Sequence, residues 1–171
     1  MADKTTPLRL RALEPSDTDL LYIWENDPEM WHYGASSAPL SRQQIWEYID
    51  RYDANPIATG QLRLMIQAGE ATVGAIDLYD LDIKNRRAYV GIMIARPHRR
   101  KEYALQALAL IEDYCITNLG LHQLAATVAE SNTPSLALFH KAGFATTATL
   151  PQWVRIGSGT FESAHILTKM L

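Results

Sequence analysis

A chain of 171 residues has room for one well-cored domain and is short for two. Its composition is that of an ordinary globular protein, 47% hydrophobic and 20% charged, and no apolar run approaches the ~18 residues that cross a bilayer. The formal net charge of -3 argues against nucleic acid or an anionic membrane as the main partner, since both select a positive face. Cys115 is the only cysteine, which excludes a disulfide framework and a thiolate metal site. Residues 1–171 are expected to form a single domain. Met1 to Thr6 lacks the apolar core of a signal peptide, so a cytoplasmic location is expected.

Leu8-Arg9-Leu10-Arg11-Ala12-Leu13 alternates as an edge or half-buried strand. Pro15-Ser16-Asp17 signals a helix start, and Leu20, Leu21, Ile23 and Trp24 give that helix a buried side. Asn26-Asp27-Pro28 is expected to break it. Ser41 can cap a second helix with apolar positions Ile45, Trp46, Tyr48, Ile49 and Tyr52, running to about Asp53. Leu62 to Ala68 and Thr72 to Tyr79, joined by Gly69-Glu70, read as a hairpin. Ala88 to Ala95 is apolar on both faces, as suits a central strand covered above and below. Beyond Arg96-Pro97-His98, a helix from about Lys101 to Asn118 repeats Ala104, Ala107, Leu108, Ile111 and Cys115 on one face. Cys115 in that setting reads as a buried structural thiol. Gly120 ends the helix, and His122 to Val128 alternates as another strand. Pro134 opens a helix that Gly143 closes, and strands near Phe144–Thr149 and Phe161–Lys169 follow. Trp153 reads as packing near the late Gly157-Ser158-Gly159 loop. The order is that of an α/β fold, a mixed sheet with helices on both faces.

The segment from Ile94 to Ala104 runs from a buried strand through a basic turn into a helix. A helix N-terminus offers unpaired N–H groups and partial positive charge, so it attracts phosphate. Arg99, Arg100 and Lys101 add formal charge, and small Ala104 and Ala107 let a ligand come close. The same residues in isolation also fit a solvated basic helix start. The context shifts the balance, because Ala129-Glu130-Ser131-Asn132-Thr133-Pro134-Ser135 and then Lys141-Ala142-Gly143-Phe144 follow in order. With these segments the chain resembles the GNAT acetyltransferases, near the ribosomal-protein N-terminal and spermidine acetyltransferases. Arg99 and Ala104 match that family's Arg/Gln-x-x-Gly-x-Gly/Ala pyrophosphate loop, Asn132 its asparagine, and Lys141 to Phe144 its closing signature. Leu119-Gly120-Leu121-His122, Leu8 to Leu13 and Trp24 to Pro28 also look like this subgroup.

The resemblance implies a largely antiparallel central sheet with one splayed parallel strand pair, formed by strands 88–95 and 122–128. It implies acetyl-CoA as cosubstrate, its pantetheine arm along the backbone of Ile92, Met93 and Ile94. The pyrophosphate would sit on Arg99, Arg100, Lys101, Glu102, Tyr103 and Ala104, with Asn132, Ser135, Phe139 and Lys141 alongside. A neutral primary amine, on a small molecule such as a polyamine or at a protein N-terminus, would attack the thioester directly. Alkyl ammonium groups have pKa values near ~10, so some group must take a proton. Glu130 and Asp77 are the candidate bases, and Glu25, Trp31, Tyr33, Asp77 and Tyr79 the candidate acceptor residues. The histidines are scattered without paired spacing, so no metal is expected; a homodimer is left open. Two positions depart from the family. Glu102 stands where it has glycine, and Phe139 stands where many members have a tyrosine thought to protonate the leaving thiolate. The alternative is a weak or inactive acyl-CoA-binding domain, although a thiolate leaves well enough for loss of an acid not to be fatal.

Overall fold

The computed structural model describes residues 7–33, 38–156 and 158–171. Its elements in chain order are β1 (Leu8–Arg11), α1 (Thr18–Glu25), α2 (Pro28–Tyr33), α3 (Arg42–Asp50), α4 (Pro56–Thr59), β2 (Leu62–Ala68), β3 (Ala71–Asp82), β4 (Arg87–Ile94), α5 (Tyr103–Thr117), β5 (Gln123–Ala129), α6 (Thr133–Lys141), β6 (Ala145–Arg155) and β7 (Phe161–Met170). Seven strands form one sheet in the order β1-β2-β3-β4-β5-β7-β6. Every neighbouring pair is antiparallel except β4 and β5, which run parallel. Among the described residues no helix is long and apolar enough to cross a membrane.

Alternation along the central strands divides the core between two faces. Ile66, Ile76, Leu78, Val90 and Leu124 face Leu108, Ile111 and Phe139 of α5 and α6. Met65 and Ala75 face the other way, against Leu21 and Trp24 of α1 and Ile45 and Ile49 of α3. Cys115 lies fully buried in α5, and burial pushes its thiol up to about 12, as befits a structural cysteine.

Several boundaries differ from expectation, each for a local reason. Pro15–Asp17 forms a tight 3-10 turn ahead of α1. The break at Asn26-Asp27 is real, but Pro28 is tolerated in a first turn and starts α2 directly. Asn55 caps the short α4, and Gly60 ends it in the left-handed region. α5 starts at Tyr103, because Arg100 and Glu102 both have positive φ and cannot continue a right-handed helix. β6 runs on to Arg155 through an irregularity between Leu150 and Val154, and Trp153 is 63% exposed on it, not packed.

One buried carboxylate fixes how α1 meets the sheet. Asp17 is 2% exposed and accepts from both terminal nitrogens of Arg11 at 2.7 Å and from the Glu14 N–H at 2.9 Å. Arg11 also donates to Thr72 and Gln67, so strands β1, β2 and β3 are tied to the head of α1. Burial alone would raise the Asp17 carboxyl, but Arg11 and the Glu14 N–H outweigh it and hold it below the ordinary carboxylate value. Asp17→Asn should therefore cost about 3 kcal/mol or more in a denaturant melt, since it strands a partly buried guanidinium. A depressed pKa stabilises fully above the unfolded value, about 3.9, and is lost as pH falls through the folded one. The wild-type advantage over Asp17→Asn should be constant from about pH 7 to 5 and shrink below about pH 4.

Candidate active site

The central feature is a gap. β4 and β5 pair only at Arg87–Gln123, Ala88–Leu124 and Tyr89–Ala125, and beyond Tyr89 the two strands part. The Ala95 N–H donates to the Val73 carbonyl at 2.9 Å on β3. Backbone groups of an extended strand alternate sides, so those of Gly91 and Met93 also face β3 and those of Ile92 and Ile94 face the gap. The Ile94 carbonyl accepts from Arg99 Nε at 3.0 Å. Met93 was expected along the pantetheine arm together with Ile92 and Ile94. Its backbone is used by β3, and its side chain packs with α1 and α3.

At the wide end of the gap lies the basic turn. Arg100 (φ 62°) and Glu102 (φ 61°) are left-handed on either side of Lys101, and alternation of this kind turns successive N–H groups into an anion-binding concavity. The first N–H groups of α5, at Tyr103 and Ala104, have no helical partner and point the same way along the chain. Among the described residues, nothing pairs with Arg100 or Lys101. Arg99 is differently used, since its Nη1 lies 3.1 Å from Glu29 of α2, which Arg96 also holds together with Asp27. The family's glycine has its reason in the positive φ at Glu102, whose carboxylate meets Lys141 Nζ of α6 at 2.8 Å, exposed to solvent. Asn132 caps α6, its Oδ1 accepting from the Ser135 N–H at 3.3 Å.

On the α1 and α3 face one arginine gathers the acceptor candidates. Arg63 of β2 holds Asp77 through Nε at 2.7 Å and Nη2 at 3.1 Å, and Glu25 through Nη1 at 3.0 Å. Its own N–H donates to the Tyr52 hydroxyl, and its guanidinium lies 5.8 Å from the Tyr48 ring centre. Burial works against its charge, but Asp77 outweighs burial and raises its pKa. Tyr79 stacks on Tyr89 at 5.5 Å beside this group, and burial raises the Tyr79 hydroxyl. Nothing in the sequence singled out Arg63, although it joins two of the chosen residues. One guanidinium thus engages both oxygens of Asp77.

The remaining candidates separate. Glu130 is exposed at the C-terminal end of β5, on the far lip of the gap, its N–H bonded to Ser163. Phe139 is 3% exposed and packs edge-on to Phe144 at 5.0 Å. Trp31 and Tyr33 belong to α2, but their side chains lie outside the described residues. Among the described residues, no group of three His, Cys, Asp or Glu side chains is placed to hold a metal ion.

Comparison with known proteins gives a consistent picture. Residues 7–145 match the model of the acetyltransferase (GNAT) domain. The spermidine N(1)-acetyltransferase of Escherichia coli K12 is 25% identical over 137 residues, 80% of this chain and 72% of that protein. The human alpha/beta-tubulin-N-acetyltransferase 9 is 30% identical over 164 residues, 92% of this chain and 70% of that protein. The fold is shared with the crystal structure of spermidine N-acetyltransferase from Vibrio cholerae in complex with CoA and spermine, with a TM-score of 0.85, 22% identity and 95% of each chain covered.

The loop geometry generates two expectations. Arg100→Ala should weaken acetyl-CoA binding by about 1–3 kcal/mol, measured by calorimetry, for one lost charge-assisted contact. Glu102→Gly should stabilise the fold by about 1 kcal/mol, because glycine has no penalty at positive φ, and should leave cofactor affinity equal or higher. The exposed pair with Lys141 lost in that variant weighs little. A less stable Glu102→Gly protein would contradict the strain argument.

Proposed function

This chain belongs to the GNAT acetyltransferase family, and on that premise we propose that its acceptor is a small cationic amine of the polyamine class. It is an acetyl-CoA-dependent N-acetyltransferase acting on a primary amine. The single observation that carries the acceptor assignment is the set of carboxylates on one side of the gap: Glu25 of α1, Asp27, Glu29 of α2 and Asp77 of β3. Set against Arg63, Arg96 and Arg99, these leave one net negative charge. Further ammonium groups would displace Arg96 or Arg99, whose ion pairs are exposed and cheap to open. The spermidine acetyltransferases among its relatives support the same class.

The residues suit the cosubstrate. Acetyl-CoA supplies the acetyl group as an activated thioester. The loop from Arg99 to Ala104 would hold its phosphates, and Asn132 would meet the pantetheine arm. Preorganised N–H groups of Ile92 and Ile94 favour negative charge developing on an oxygen in the gap, at no cost in reorganisation. Asp77 and Glu25 steer the ammonium, and Glu130 on the opposite lip takes the proton directly or through water. Phe139 cannot donate to a thiolate, and the low basicity of a thiolate makes water sufficient.

A protein amine, such as an N-terminus, is the second reading, and the human alpha/beta-tubulin-N-acetyltransferase 9, which matches 92% of the chain, supports a protein acceptor. Thiol release from acetyl-CoA with spermidine, spermine, monoamines and short peptides separates the two. The polyamine reading predicts kcat/KM for spermidine at least about tenfold above that for a monoamine, since the extra ammonium meets extra carboxylate. Peptide turnover exceeding spermidine turnover would replace it with the second reading. Phe139→Tyr should retain equal or higher activity on the best acceptor; strong wild-type turnover abolished by tyrosine would refute the substitution of water for the acid.

A further inference from the structure

Two glycines in the central strands have opposite surroundings. A Cβ at Gly74 would lie 2.1 Å from the Met93 carbonyl oxygen, so only glycine fits there. Among the described residues, a Cβ at Gly91 would meet nothing within 4 Å but Tyr79 Cε1, at 3.7 Å, an ordinary contact. Gly91 is not among the residues with positive φ either. Neither packing nor backbone requires glycine at 91, yet glycine inside a strand weakens it and marks places where a ligand or another backbone comes close. Among the described residues no backbone approaches here, which leaves the ligand.

The register places Gly91 at the end of a row. Arg63 lies opposite Asp77, and Asp77 lies opposite Gly91, on the face that carries α1 and α3. The last β4–β5 pair is Tyr89–Ala125, two residues before Gly91. The row thus runs from a guanidinium, through a carboxylate, to bare backbone at the edge of the gap. The Tyr79 and Tyr89 rings stack beside it and offer an aromatic wall suited to a cation. We propose that Gly91 is a specificity-determining residue: its missing side chain leaves the passage by which the acceptor amine moves from Asp77 into the gap. Arg63 is the positioning residue that holds Asp77 and Glu25 along this passage. The inference rests on the gap as the site of transfer and not on the acceptor being a polyamine.

The test uses whichever amine the wild type acetylates fastest, so failure of the polyamine assignment leaves it intact. Gly91→Val should fold, because a β-branched residue suits a strand. It should raise the amine KM about tenfold or more and leave the acetyl-CoA KM within about twofold. The loss should be larger for branched amines than for unbranched ones. Calorimetric titration of the amine into the CoA-loaded protein should show the same weakening, independent of turnover. Arg63→Met should raise the amine KM alone, and Arg63→Lys should recover part of the loss. A folded Gly91→Val protein with unchanged amine binding, or one in which both KM values rise equally, would overturn the proposal. Should valine prevent folding, Gly91→Ala carries the test, and unchanged binding of the branched amine by that variant would overturn it in the same way.

Discussion

Backbone hydrogen bonding between β4 and β5 stops after three residue pairs, and the site follows from that interruption. Inside a sheet, each unpaired N–H or carbonyl is costly unless something else meets it. Here Ile92 and Ile94 present theirs to a gap, and among the described residues the Ile94 carbonyl accepts from the Arg99 side chain. Parallel strands need a crossover between them, and that crossover is α5, whose head therefore falls at the open end. The gap and the basic turn are thus one consequence of topology.

Arginines then connect the gap to its two sides. Arg63 binds carboxylates from α1 and β3, its guanidinium lies by Tyr48 of α3 and its N–H meets Tyr52 just beyond that helix, so a single arginine joins these elements. Arg99 reaches from the basic turn to Glu29 of α2. The two arginines are not equivalent. Arg63 is largely enclosed, and removing it would leave two partly buried carboxylates facing one another. The Arg99 pair is open to water and screened by salt, so it can be exchanged for a ligand's charge.

Much of this was legible in the sequence where periodicity was strong. The 62–79 hairpin, the doubly apolar strand before Arg96 and the α5 stripe all stand close to where alternation put them. The exposed β6 ran past its expected end because a strand with no buried face has no alternation to read. α2 and α4 are too short for a helical stripe. Glu102 was visible as a departure from glycine, but its left-handed backbone was not, and it is that conformation which favours glycine at the position. Arg63 was invisible for a different reason: a charged residue in an alternating strand looks like a solvent-facing position, and its partners at 25, 48, 52 and 77 meet only in the fold. Gly91 was hidden inside an apolar run, and only the register gives it a neighbour.

The most direct test of the account is residue-resolved amide NMR with CoA titrated into the protein. The account predicts that the N–H signals of Ile92 and Ile94 shift and gain protection from exchange together with those of Arg100 to Ala104. Those of Gly91 and Met93, already bonded to β3, should change little. Saturable CoA binding that leaves Ile92 and Ile94 unmoved would show that the gap between β4 and β5 is not where the thioester lies.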